Sequence, residues 1–267
     1  MEVDSTYYRL PDEAMVARWA ERTPEGFVMH VKAFGLMTRH PVKAEQLPAD
    51  LREGAPVDER GRVDRPPREL RAEVFARFRA ALEPLRAAGK LGGILLQFPS
   101  YVVYKDLSFD YLRFAVGELG DDRALVEFRH RSWLDEENRA RTLAFLEELG
   151  AAHVIVDAPK TEAKNLVPTV VAVTGALAYV RLHGRNAATW NVRGGAASDR
   201  FDYLYAPEEL EEWVEPLAGI GGSADEVYVL FNNNRWSRTE GGETIAQAAA
   251  NAETLRRVLH ERGVPTA

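Results

Sequence analysis

Two short stretches place charged side chains two residues apart at the end of an apolar run. In VEFRH, Glu127 alternates with Arg129, and in YVRLHGRN, Arg181 alternates with His183, followed by Arg185 and Asn186. Residues two apart on an extended chain share a face, so each stretch presents its polar pair on one side. Other apolar runs also turn polar where they end: Lys32 in FVMHVKA, Gln97 in GGILLQF, Asp157 in HVIVDA and Asn232 in EVYVLFNN. Guanidiniums and an ammonium suit a phosphate or carboxylate, because the planar arginine fork matches such oxygens two at a time. A carboxylate and an imidazole are the usual carriers of a proton. These residues give a candidate site: Glu127, Asp157 and His183 as catalytic groups, and Lys32, Gln97, Arg129, Arg181, Arg185, Asn186, Trp190 and Asn232 as ligand-binding groups.

Elements must exist to hold them. Seven apolar, β-branched or aromatic runs recur along the chain, at 2–8, 27–33, 92–98, 124–130, 153–158, 176–184 and 226–233. Amphipathic helical patterns separate most of them. Over about 69–88, Leu70, Val74, Phe75, Phe78, Leu82 and Leu85 fall on one stripe, and LDEENRARTLAFLEELG carries Leu143, Leu146 and Leu149 before a glycine stop. Strand and helix in alternation predict a parallel sheet with right-handed crossovers. The fold expected is α/β, a TIM-barrel-like (β/α) barrel formed by residues 1–267 as one domain. Seven strands are one short of eight, and the first run starts at residue 2, so an initial βα unit is expected to be missing. In such a barrel the functional groups emerge at the C-terminal strand ends. Within the sixth run, Leu177, Tyr179, Arg181 and His183 should face the axis, and Ala178, Val180 and Leu182 should pack under helices.

Two connections are unusual. GLMTRHPVKAEQLPADLREGAPVDERGRVDRPP, residues 35–67, is far longer than an ordinary βα loop, which predicts a lid or a disordered insert. The loop after residue 184 mixes Trp190, Tyr203 and Tyr205 with Gly194 and Gly195, and from Arg181 to Tyr205 there are four arginines against two aspartates. This rim reads as locally cationic.

Composition bounds the rest. The chain has 267 residues, 46% hydrophobic and 28% charged, with a formal net charge of −7 and no cysteine. Disulfides, thiolate metal sites and a cysteine nucleophile are excluded, and the acidic balance disfavours a general coating of nucleic acid. A mean hydropathy of −0.30 and the absence of a long apolar run or a leader-like start predict a cytoplasmic protein without membrane contact. No metal and no cofactor are expected, since only Glu127, Asp157 and His183 are ligand types at the rim and arginines stand between them. Gly184 to Asn186 lacks the spacing of a phosphate or dinucleotide loop. His30 reads as an interior residue, and His40, His130 and His260 as surface or supporting residues. Trp213 belongs to a helix core, while Trp190 and Trp236 lie in loops where an indole either stacks on a ligand or anchors its own loop.

Several motifs carry a resemblance. QFPSY, VEFRHRSW, YVRLHGRN with a later tryptophan, RFDYLY-x-x-EEL-x-x-W and a final FNN are similar to those of the YecE-like family, the bacterial domain of unknown function 72; VDSTYYRLP and ERTPEGFVMHVKAF are similar too. The resemblance spans nearly the whole chain and implies a TIM-barrel-like fold. The family usually starts with a further strand bearing a Gly-Thr/Cys-Ser-Trp-like motif, which this chain lacks. The function expected is the binding of a small phosphorylated or carboxylated molecule at the strand ends, with turnover as a hydrolase or a lyase/isomerase. The alternatives are a nucleic-acid or nucleotide binder without chemistry, or a metal-dependent nuclease-like enzyme.

Overall fold

The computed structural model describes residues 1–192, 197–238 and 241–266. Its fold class is α/β and TIM-barrel-like, with seven parallel strands, as the alternating pattern predicts. The chain divides into two compact units, Met1–Arg129 and His130–Ala267.

The first unit holds β1 (Glu2–Val3), β2 (Met29–Lys32), β3 (Leu91–Gln97) and β4 (Ala124–Glu127). They pair in sequence order, all parallel, with Val3 beside Val31, Lys32 beside Leu95 and Gln97 beside Glu127. Ile94, Leu95 and Leu96 of β3 and Ala124, Leu125 and Val126 of β4 are almost fully buried, as expected of strands covered on both faces. The run at 2–8 is only briefly extended: after Val3 the chain enters a helical turn, Ser5–Tyr7, and Thr6 Oγ1 donates to the carbonyls of Lys32 (2.6 Å) and Val3 (3.3 Å). The stripe at 69–88 forms two helices, Arg68–Ala81 and Glu83–Ala87. Pro84 causes the break, since it has no N–H for the ladder and fits only a first turn.

Residues 35–67 are neither disordered nor a bare flap. Two helical turns, Gly35–Thr38 and Ala44–Gln46, and a short helix, Ala49–Arg52, alternate with isolated bridges between Lys43 and Arg62 and between Val57 and Val63. Leu36, Met37, Val42, Leu47 and Val63 are buried and hold the excursion down.

The second unit holds β5 (Ala152–Asp157), β6 (Leu177–Leu182) and β7 (Glu226–Phe231), again parallel and in sequence order. Ala178, Val180 and Leu182 join Trp213, Leu217, Ile220 and Leu255 in one apolar core, which confirms the side that packs under helices. A small antiparallel pair, β8 (Trp236–Arg238) with β9 (Thr244–Ala246), precedes the helix Gln247–Glu261. Among the described residues no eighth parallel strand joins the sheet, and no helix is long and apolar enough to cross a membrane.

Candidate functional site

The residues singled out in the sequence divide between the units: Lys32, Gln97, Glu127 and Arg129 lie in the first, and Asp157, Arg181, His183, Arg185, Asn186, Trp190 and Asn232 in the second.

In the first unit the parallel register brings the ends of β1 to β4 to one side. Glu127 is fully buried, and its Oε1 accepts from Gln97 Nε2 at 2.8 Å and Arg129 Nη1 at 3.1 Å. Lys32 Nζ lies 3.4 Å from Asp4 Oδ1 and 4.9 Å above the ring of Tyr7. Edge-on to Tyr7, with ring centroids 5.1 Å apart, stands His40. Thr38 Oγ1 is 2.9 Å from its Nδ1. Burial, reinforced by the positive charges of Lys32 and Arg129, pulls the His40 pKa down to about 4. At neutral pH this imidazole is therefore uncharged, in a place where a further positive charge is unwelcome. Burial, with the neighbouring Tyr8 and Tyr101, also pushes the Tyr7 phenol up to about 12.

In the second unit the polar groups answer one another. Asp157, 1% exposed, accepts from Arg185 Nε at 2.9 Å and from Tyr205 Oη at 2.7 Å. The phenol of Tyr205 in turn accepts the backbone N–H of Gly184 at 2.8 Å. Burial and the Asp157 carboxylate hold this phenol far above its ordinary pKa. Arg185 also reaches Glu209 Oε1 (3.3 Å) and Glu212 Oε2 (2.9 Å), so three carboxylates surround one guanidinium. Of the four arginines that make this rim read as cationic, Arg185 is neutralised by Asp157 with Glu209 and Glu212, which lie just past that stretch, and Arg193 lies outside the described residues. Asp157 is correspondingly engaged as a brace.

Gly184 is required by geometry. Its φ is +86°, and a Cβ there would stand 2.6 Å from Tyr203 Cβ. Asn186 caps the turn Ala187–Trp190, its Oδ1 accepting from Thr189 N at 3.3 Å and its Nδ2 donating to the Asp202 carbonyl at 3.0 Å. Trp190, expected in a loop that could stack on a ligand, is 2% exposed and packs edge-on against Phe201, so it anchors its loop. Arg181 and His183 are fully buried. Asn232 Nδ2 lies 3.0 Å from His183 Nδ1. Gly194 and Gly195 lie outside the described residues.

A family model described as "Protein of unknown function DUF72" matches residues 1–266. The chain belongs to the DUF72 family. Among relatives of this DUF72 chain, the UPF0759 protein YunF of Bacillus subtilis (strain 168) is 32% identical over 263 residues, 97% of this chain and 82% of that protein. A crystal structure of a DUF72 family protein from Enterococcus faecalis V583 has a TM-score of 0.77 at 28% identity, covering 97% of this chain and 84% of that one. A second, from Thermotoga maritima MSB8, has a TM-score of 0.70 at 30% identity, covering 97% and 84%.

Asp4, Tyr7 and His40 were not legible as site residues in this DUF72 chain. Asp4 and Tyr7 fall in a run that reads as strand, and His40 in a loop, with neither spacing nor motif to link them to Lys32. The available signal was the length of the segment after β2, which predicts a functional loop without saying which of its residues matter.

Proposed function

We propose that this DUF72 chain binds a small anionic molecule, phosphorylated or carboxylated, at the strand ends of its first unit, and turns it over as a hydrolase or a lyase/isomerase. The observation that carries the reading is His40. A histidine held neutral chiefly by burial, with the cations Lys32 and Arg129 near enough to lower its pKa further, marks a spot where two positive charges meet, which an anion would favour. Lys32 and Arg129 are only partly exposed, at 15% and 18% of their side chains, so their charges act through a poorly screened surrounding. Glu127 is the proton acceptor in this reading, oriented by Gln97 and Arg129. Neutral His40 and Tyr7 are the adjacent proton carriers. Neither Asp157 nor His183 is assigned a step: the first is engaged by Arg185 and Tyr205, and the second is enclosed beside Asn232.

The test is a thermal-shift screen of phosphorylated and carboxylated metabolites, followed by calorimetry on the hits. Binding that weakens about tenfold in Lys32→Ala or Arg129→Ala, in line with loss of one charge-assisted contact, supports the reading; turnover abolished by Glu127→Gln supports its catalytic part. No stabilisation across the screen, together with oligonucleotide binding that falls steeply with salt, would replace it with a nucleic-acid-binding role.

A further inference from the structure

We infer that the excursion after β2 carries a phosphate-binding subsite built by Arg39, Arg65 and Arg71. The inference deepens the anion-binding reading above and rests on it. A cavity of about 330 Å³ opens in the first unit, lined by these three arginines with His40, Arg62 and Tyr101 among others. One of its lining residues, His40, also feels the charges of Lys32 and Arg129.

Charge in the cavity is unbalanced. Of its four arginines, Arg62 is held by Asp58, with Nη2 at 2.6 Å and Nε at 2.8 Å from Oδ2, while Asp58 Oδ1 takes the backbone N–H groups of Arg60 and Arg62. Among the described residues, the other aspartate of the lining, Asp64, shows no ion pair with the remaining arginines. Among the described residues, Arg39, Arg65 and Arg71 have no carboxylate within ion-pair distance. Arg71 Nη1 donates only to the Leu36 carbonyl (3.2 Å) and Tyr111 Oη (3.4 Å). Arg39 and Arg71 lie over the same Tyr111 ring, at 5.2 and 5.3 Å from its centroid. Two like-charged guanidiniums sharing one ring repel each other, and a bound anion removes that repulsion.

The backbone gives an independent indication. Among the described residues only two non-glycine residues have positive φ, Arg39 at 66° and Arg65 at 42°, and both line this cavity. Glycine would relieve the strain at either position, yet the chain places a long cation at both. Strained backbone of this kind gathers where a side chain must be aimed at a ligand. Tyr101 Oη donates to the Arg39 carbonyl at 2.5 Å and fixes the turn. Three arginines lining one cavity suit a tetrahedral phosphoryl group, which offers more acceptor oxygens than a carboxylate.

The experiment is calorimetric titration of the full chain with inorganic phosphate and pyrophosphate, for wild type, Arg39→Gly, Arg65→Gly, Lys32→Ala and the surface control Arg77→Ala. The expected result is phosphate binding by wild type and Arg77→Ala, weakened about tenfold or more in both glycine variants. Their melting temperatures should not fall below wild type, because glycine fits both backbone positions. Failure of wild type to bind phosphate at millimolar concentration overturns the subsite, as does unchanged affinity in both glycine variants. Loss of phosphate binding in Lys32→Ala alone also overturns it, while leaving the strand-end reading of the site standing.

Discussion

The polar clusters of the two units begin alike and end differently. Each collects charged side chains at the ends of parallel strands and in the long connection that follows one of them. In the second unit Arg185 is answered by Asp157, Glu209 and Glu212, and Arg235 by Asp199 and Asp202. In the first, Arg39, Arg65 and Arg71 have no carboxylate at ion-pair distance among the described residues, and His40 is kept neutral by burial, reinforced by nearby positive charge. A cluster whose charges are internally matched holds the chain together; one with unmatched arginines is what the proposed anion binding requires. Residue type at the rim does not distinguish the two. The origin of the counter-charge does.

The sharpest way to break this contrast is Asp157→Ala. The carboxylate is buried and receives both Arg185 and Tyr205. Removing one member of a buried charge network costs about 3 to 5 kcal/mol, so urea denaturation should show a large loss of stability. Wild-type stability in this variant would mean that the second cluster is not structural.

Next comes the pH dependence of the first cluster. His40 ordinarily titrates near 6.5 and does so at about 4 in the folded chain. Between those values the unfolded chain takes up a proton that the folded chain refuses. This contribution to stability is complete above pH 6.5 and is lost as the pH falls towards 4; it amounts to at most about 3 kcal/mol. Carboxylates that titrate in the same acid range contribute too, so the quantity to measure is the difference in denaturation between wild type and His40→Gln across this range. The two profiles should diverge below pH 6.5. An anion bound beside Lys32 and Arg129 should raise the His40 pKa and shrink the divergence; parallel profiles would remove His40 as the marker of surplus charge.

Gly184→Ala should cost less, about 2 kcal/mol or more, from a positive φ combined with contact against Tyr203. Thermal unfolding measures it. The loss should appear as stability rather than as altered anion affinity, in keeping with a second cluster that braces.

Much of this architecture can be read in the sequence because it depends on local period. The alternation of Ala178, Val180 and Leu182 with Tyr179, Arg181 and His183 identifies the helix-facing side of β6, and the apolar core contains the first three. Local period also misleads where a single contact overrides it: EVDSTYY reads as strand, but the Thr6 hydroxyl bonded to the Lys32 carbonyl turns the chain after Val3. The pairing of charges is beyond such reading. Arg185 finds Asp157 and Glu209 at separations of 28 and 24 residues, and the pKa of His40 depends on Lys32 and Arg129, which only the folded register brings near. Arg39 and Arg65 look like ordinary loop arginines until their φ angles are known.

The smallest effect sharpens the contrast further. Tyr101→Phe removes the hydrogen bond to the Arg39 carbonyl and nothing else, since the ring stays and is 56% exposed. Water can take over the carbonyl, so the loss belongs at the low end of a neutral hydrogen bond, about 0.5 kcal/mol. The same bond helps to hold Arg39 in its left-handed conformation, and without it the guanidinium spends less time aimed at the cavity. Phosphate affinity should therefore fall by more than the stability does, measured by calorimetry beside thermal unfolding. In the second unit the two readouts should move together, because the groups that brace it have no separate task. A Tyr101→Phe variant that loses as much stability as Asp157→Ala would show that the first cluster, too, is held together by its own contacts.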